Sequence, residues 1–178
     1  MLFNKTVAVV VPAYNEEKQI DRVLRTMPHF VDRIIVVNDC STDNTAGVVL
    51  SYIKEDRAIG KIIVPDHVEA DGDQYDRAEK LLKEKQQDDL RHYIPSEIAN
   101  TYPATDRVIL INHLKNGGVG ASIARGYKWC LDHKIDCTAV MAGDGQMDPS
   151  ELEKICKPVL TEDIDYVKGN RLIHGSAR

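Results

Sequence analysis

Four times in 178 residues a short apolar run stops at a turn made of Pro, Asp, Asn or Gly, and a helical period follows. The runs are Thr6–Val11, Arg33–Asn38, Val108–Ile111 and Thr138–Met141. Uninterrupted apolar stretches rich in β-branched residues suit parallel strands covered on both faces. Strand followed by helix, repeated, predicts an α/β fold: a mainly parallel sheet flanked by helices on both faces. In such sheets ligands bind beyond the carboxyl ends of the strands. The residues just after each run are therefore the candidates for function.

Pro12 is expected to end the first strand, because proline cannot donate to a ladder. Asn15 is placed to cap the next helix, and Glu16 and Glu17 suit its positive end. Ile20, Val23, Leu24 and Met27 recur at helical spacing and form a buried stripe that Pro28 closes. The second strand runs into Asp39, a carboxylate at the crevice, and Ser41 or Asp43 is placed to cap the helix beyond it.

Residues 55–106 break the rhythm and read as a charged, partly helical insertion lying on the surface. Within it, Lys61–Val64 reads as a short strand and Asp66–Asp76 as an acidic turn. Arg77–Arg91 reads as a charged helix with only Ala78, Leu81, Leu82 and Leu90 to bury, and Tyr93–Thr105 as loop. Its charge reads as a solvated face, with a partner-binding surface as the alternative. The strand grammar resumes at Val108, and Asn112–Ala121 carries three glycines that let backbone approach a ligand or make a tight turn before a helix to Asp132. The glycine spacing is neither that of a dinucleotide fingerprint nor that of a P-loop. His113 reads as structural.

The last run ends in Gly143-Asp144-Gly145-Gln146. Asp148, Pro149 and Glu151 then carry the signature of a helix start for Ser150–Leu160, with Leu152, Ile155 and Cys156 on its buried side. Asp144 and Gln146 offer a carboxylate and a carbonyl oxygen to one place. That is half of a site for a hard divalent cation, which takes oxygen ligands and often brings a phosphate. Asp165–Lys168 reads as a final strand leading to Gly169-Asn170-Arg171.

The net charge of −5, with no basic stripe and few aromatics, argues against a nucleic-acid partner. It also suggests that a metal, rather than a Lys/Arg cluster, would neutralise a bound phosphate. Cys40, Cys130, Cys137 and Cys156 form no C-x-x-C pair and read as reduced, mostly buried thiols of a cytoplasmic protein. No apolar run approaches the ~20 residues a membrane span needs. The length suits one domain, residues 1–178.

Four blocks in order carry a family likeness: Val10–Glu17, Val36–Thr45, Asn116–Ala121 and Gly143–Pro149, with Gly169-Asn170-Arg171 as a fifth. The chain resembles the inverting family 2 glycosyltransferases with the GT-A fold. It is most similar to the branch that moves a sugar from a nucleotide onto a polyprenyl phosphate, such as dolichyl-phosphate mannose synthase. The resemblance implies that Pro12, Ala13, Tyr14 and Glu16 line the nucleotide pocket and that Gly118 brings backbone to it. It implies that Asp39 accepts a bond from the base. Asp144 and Gln146 would hold Mg²⁺ or Mn²⁺ against the diphosphate, and Arg171 would pair with a phosphate. The expected donor is UDP- or GDP-linked, and the expected acceptor is a lipid phosphate at the inner membrane surface.

Three departures qualify the likeness. Ala142 stands where the family's metal motif has its first Asp, and Asn38 replaces a common Asp beside Asp39. The chain also stops where the family's acceptor side begins, which implies a truncated or split enzyme and an open sheet edge where a second copy could pair. The alternative reading is a nucleotide-sugar-binding module without turnover. A sugar nucleotidyltransferase would need a Gly-rich basic loop after the first strand, and Pro12-Ala13-Tyr14-Asn15 is not one.

Overall fold

A computed structural model describes residues 1–58 and 73–170. Strand β1, Val7–Ala13, lies inside the sheet. It pairs in parallel with β2, Arg33–Asn38, on one side and with β5, Cys137–Val140, on the other. β2 pairs in parallel with β4, Val108–His113, and a short β3, Ser96–Ile98, runs antiparallel along β4. The order is β3-β4-β2-β1-β5. The expected α/β architecture with a mainly parallel sheet is what the chain adopts.

Side chains alternate across a strand, so β1 feeds two cores, and Val7 through Val11 have no solvent exposure. Val9, Val11 and Ala13 meet helices α1, Ile20–Arg25, and α2, Thr45–Ala58, through Ile20, Leu24, Val49 and Ile53. Ala8 and Val10 face the opposite way, towards Trp129 and Cys130 of α4, Gly118–Asp132. A Cβ on Gly126 would sit 2.4 Å from a Val10 methyl, so only glycine lets α4 lie this close to β1. Helix α5, Leu152–Thr161, closes the β5 side, where Cys156 and Leu160 join Val7 and Cys137. All four cysteines are free, and only Cys40 is exposed.

Several local expectations are corrected. β1 continues through Pro12 to Ala13. The Pro12 carbonyl points towards the β5 flank, where it accepts from Gly143 N. Its donor-less nitrogen shares that flank, beyond the last ladder residue of β5, so the missing N–H breaks no bond to β2. Asn15 does not cap α1, since its backbone is left-handed at φ 57° and its side chain accepts from Thr42 N instead. The loop expected over Tyr93–Thr105 contains β3. Asp165–Lys168 forms no strand, and Tyr166 is 74% exposed.

The charged helix forms as α3, Asp73–Asp89, followed by a tight turn at Leu90–His92. Leu81 and Leu82, expected to be buried, are exposed. The expected strand Lys61–Val64 and most of the acidic turn lie outside the described residues. Among the described residues, no helix is long and apolar enough to cross a membrane.

The far end of residues 55–106 is joined to the body through Asp106. This carboxylate, 1% exposed, accepts two bonds from Arg57 of α2 and one from Asn100. Burial works against its charge, but the Arg57 and Asn100 bonds outweigh it and hold the carboxyl below its usual range. Arg57 itself is 30% exposed, which screens part of the attraction. Asp106→Ala should therefore cost about 2–3 kcal/mol, below the full range for breaking a buried pair. The check is the urea midpoint at pH 7. A carboxylate whose pKa is lowered by folding stabilises above its unfolded pKa, and that stability is lost as pH falls through the folded value. The gap between wild type and Asp106→Ala should thus narrow in acid.

Candidate active site

The carboxyl ends of β1, β2, β4 and β5 open on the same edge of the sheet. The β1–α1 and β2–α2 connections are cross-bonded there. Asn15 N donates to Ser41 Oγ at 3.0 Å, Glu16 N to Thr45 Oγ1 at 2.9 Å, and Glu17 N to Asp43 Oδ2 at 3.1 Å. In return, Thr42 N donates to Asn15 Oδ1 at 2.8 Å and Asn44 N to Glu17 Oε2 at 2.9 Å. Each loop thus supplies acceptors for the other's orphan N–H groups, the general need at helix starts. Asp43 also takes the Thr45 N–H, which is the expected cap on α2; Ser41 serves Asn15 instead. Burial opposes the Asp43 charge, but the bonds from Thr45 and Glu17 leave its carboxyl below the usual range.

Pro12 and Ala13 are buried in the floor of this edge, and Tyr14 stands 50% exposed above it. Glu16 is half-buried and its carboxylate has no hydrogen bond or ion pair among the described residues. Its carboxyl is raised, first by burial and then by the charges of Asp144 and Asp43.

Asp39 is 3% exposed. Its Oδ1 lies 2.7 Å from His113 Nδ1 and accepts from Gly117 N at 2.9 Å, while Oδ2 accepts from Gly118 N at 2.7 Å. Its own carbonyl accepts from Asn116 Nδ2. All these contacts are to the chain itself. Asp39 caps α4 from the end of β2, where the helix dipole favours negative charge. Gly118 has φ +81°, and a Cβ on Gly117 would lie 2.6 Å from Ile94, so both glycines are required for this turn.

After β5, Gly143 N donates to Pro12 O at 3.1 Å. A Cβ on Gly143 would meet that oxygen at 3.1 Å and Ala13 Cβ at 3.3 Å. The absence of a side chain seats the turn directly on the exit of β1. Asp144 is half-buried, and its Oδ1 accepts from Gln146 N at 3.0 Å. Asp148 accepts from Ser150 N, as expected of a cap, and opens a turn at Pro149–Glu151 that continues into α5. Gln146 is exposed.

The structure thus gathers Pro12, Ala13, Glu16 and Asp144 at one place, with Asp39 and Gly118 joined to each other along the same edge. Arg171 lies outside the described residues. The donor set around Asp144 and Glu16 is all oxygen and suits Mg²⁺ or Mn²⁺. Among the described residues, no three His, Cys, Asp or Glu side chains form a metal-holding group. A cation here would need ligand oxygens to complete its shell. His113 is structural, as expected, since it bonds Asp39; Thr45 was not singled out, and Glu17 was placed at a helix start without its bond to the β2–α2 connection. Arg22 was also missed; it donates to Gly145 O at 3.1 Å.

Residues 8–72 match the family model described as Glycosyl transferase family 2. Over 170 residues the chain is 26% identical to a UDP-N-acetylglucosamine–dolichyl-phosphate N-acetylglucosaminyltransferase of Methanococcus voltae, covering 95% of this chain and 53% of the relative. An uncharacterised protein of Methanocaldococcus jannaschii is 28% identical, over 93% of this chain and 46% of its own. A dolichyl-phosphate beta-glucosyltransferase of Trichomonas vaginalis is 42% identical over 59 residues, 27% of this chain and 18% of that enzyme. Among solved structures, a glucosyl-3-phosphoglycerate synthase of M. tuberculosis aligns with TM-score 0.48 at 20% identity, over 89% of this chain and 42% of that one. The chain spans about half the length of the curated relatives it matches over most of its own residues. The match over residues 8–72 and these relatives make the chain similar to Glycosyl transferase family 2 proteins.

Proposed function

We propose that this chain forms the nucleotide-sugar side of an inverting glycosyltransferase that moves a sugar from a UDP- or GDP-sugar to a polyprenyl phosphate at a membrane surface. The observation that carries the reading is the convergence of Asp144 and Glu16 at the ends of β5 and β1, neither carboxylate having an ion pair among the described residues. Two carboxylates without a cation of their own suit a dication that arrives with a diphosphate. The acceptor in the names of two relatives, dolichyl phosphate, supports the acceptor class.

The chemistry follows from the residue types. An acceptor phosphate oxygen attacks the anomeric carbon while the bond to the nucleoside diphosphate breaks, inverting the centre. A phosphate monoester, with a second pKa of about 6, is already an anion at neutral pH and needs no strong base. Bound Mg²⁺ or Mn²⁺ would act as a Lewis acid on the departing diphosphate. Asp144 and Gln146 would hold it, with Glu16 beside them. Pro12, Ala13 and Tyr14 would form the wall against the nucleoside. Asp39 would act on the ligand by holding Gly117 and Gly118 in place. Arg171 is assigned to a phosphate by the family likeness.

Calorimetric titration of UDP and of GDP, each with and without Mn²⁺, is the direct test. One nucleotide should bind at least about tenfold more tightly with Mn²⁺, a difference of ~1.4 kcal/mol, and Asp144→Asn should abolish that difference. A folded chain that binds neither nucleotide would sink the proposal. Ala142→Asp adds the carboxylate the family motif usually has and should tighten Mn²⁺, since charge count tunes affinity at such sites. Unchanged Mn²⁺ affinity in that variant would place the cation elsewhere. The binding-module reading, which Ala142 favours, predicts tight nucleotide binding but no release of nucleoside diphosphate when a sugar donor and polyprenyl phosphate are both supplied.

A further inference from the structure

Between Gly143 and Asp148 the turn that carries Asp144 and Gln146 has little to hold it. Gly143 N is anchored on Pro12 O, and Asp148 caps its own helix. Asp144 Oδ1 and Gln146 N bond only to each other. Beside the turn lies an open pocket of about 310 Å³, bounded by Val23 of α1, Thr26 just beyond it, Met141, and Met147 to Pro149. That open pocket separates part of the turn from α1.

One side chain crosses that space. Arg22 of α1 donates Nη2 to Gly145 O at 3.1 Å. Among the described residues it is the one hydrogen bond from residues 144–147 to another element. Gly145 has φ +70°, and a Cβ there would sit 2.6 Å from the same Arg22 nitrogen. The guanidinium thus occupies the space a side chain at 145 would fill, and the glycine serves both the backbone conformation and the arginine. Because Gly145 lies between Asp144 and Gln146, fixing its carbonyl fixes the directions in which both neighbours present their oxygens.

We propose that Arg22 is a positioning residue for the cation site: by gripping Gly145 across the cavity, it sets the geometry of Asp144 and Gln146. This rests on the glycosyltransferase reading above. Partners that orient metal ligands typically contribute about 10–100-fold in metal affinity.

Free Mn²⁺ is followed by its electron paramagnetic resonance signal during titration into the chain with saturating UDP or GDP, and nucleotide affinity without metal is measured in parallel. Arg22→Met keeps the stem and removes the donors. It should weaken Mn²⁺ binding about tenfold or more while leaving metal-free nucleotide affinity and the melting temperature close to wild type. Arg22→Lys, which keeps a donor, should recover part of the loss; a stem filling space would be served equally by Met. If Arg22→Met does not fold, Gly145→Ala is the second variant, and the same selective loss of Mn²⁺ is expected. Wild-type Mn²⁺ affinity in a folded Arg22→Met or Gly145→Ala chain, with Asp144→Asn inactive in binding, would overturn the role of Arg22 and leave the functional reading intact. Absence of Mn²⁺ binding by the wild-type chain with either nucleotide would overturn both.

Discussion

A parallel sheet leaves unpaired N–H groups wherever its ladders stop, and this fold meets that demand with carboxylates, two of them buried, Asp39 and Asp32. At the carboxyl edge, Asp39 takes the first N–H groups of α4 and contacts His113 of β4. At the opposite edge, Asp32 takes Val7 N and the chain's own amino terminus, and Asp136 takes Thr6 N. An unpaired buried carboxylate would cost several kcal/mol, so Asp39 and Asp32 are tolerable only with their donors in place. That requirement fixes the spacing between elements more firmly than apolar packing can. Because Asp39 must reach the start of α4, β2, β4 and α4 are held in one relation, and the crevice inherits its shape.

The strands legible in the sequence were those packed against helices, with β1, β2 and β4 buried on both faces and β5 partly so. β1, β2, β4 and β5 show as apolar runs because the two inner faces and their helices demand it. β3 was not legible: Ser96-Glu97-Ile98 is an edge strand, half-exposed, and its identity depends on pairing with β4 rather than on its own pattern. The run Asp165–Lys168 misled in the opposite sense, for a strand needs a partner as well as a pattern. Leu81 and Leu82 show that a helical period alone does not ensure a surface to bury it against.

The site divides in the same way. Asp144 and its glycines stand out because the turn chemistry is local: a positive φ, a close approach to β1 and a cap at Asp148 are written within a few residues. Thr45 and Arg22 were silent, and the cross-loop bonds of Glu17 went unread, because these partners are 26 or more residues away. Asn15 is the instructive case. It has the composition of a helix cap, yet tertiary context gives its side chain to Thr42, and α1 starts only at Ile20.

These bonds make the two sides of the crevice unequal. The side formed by β1 and β2 is tied by five reciprocal loop-to-loop bonds and by the saturated Asp39. The side formed by the turn after β5 rests on Gly143 at one end and on Arg22 across a cavity. Preorganised groups lose little freedom when a ligand arrives, whereas sparsely bonded segments open at small free-energy cost. A rigid wall beside a lightly tethered carboxylate suits a ligand whose nucleoside end is constant and whose diphosphate and sugar end must change during reaction. The missing carboxylate at Ala142 sharpens this division. Under the proposed function, one fewer fixed charge makes cation affinity depend more on how accurately the remaining oxygens are held, and hence on the few contacts that hold the turn.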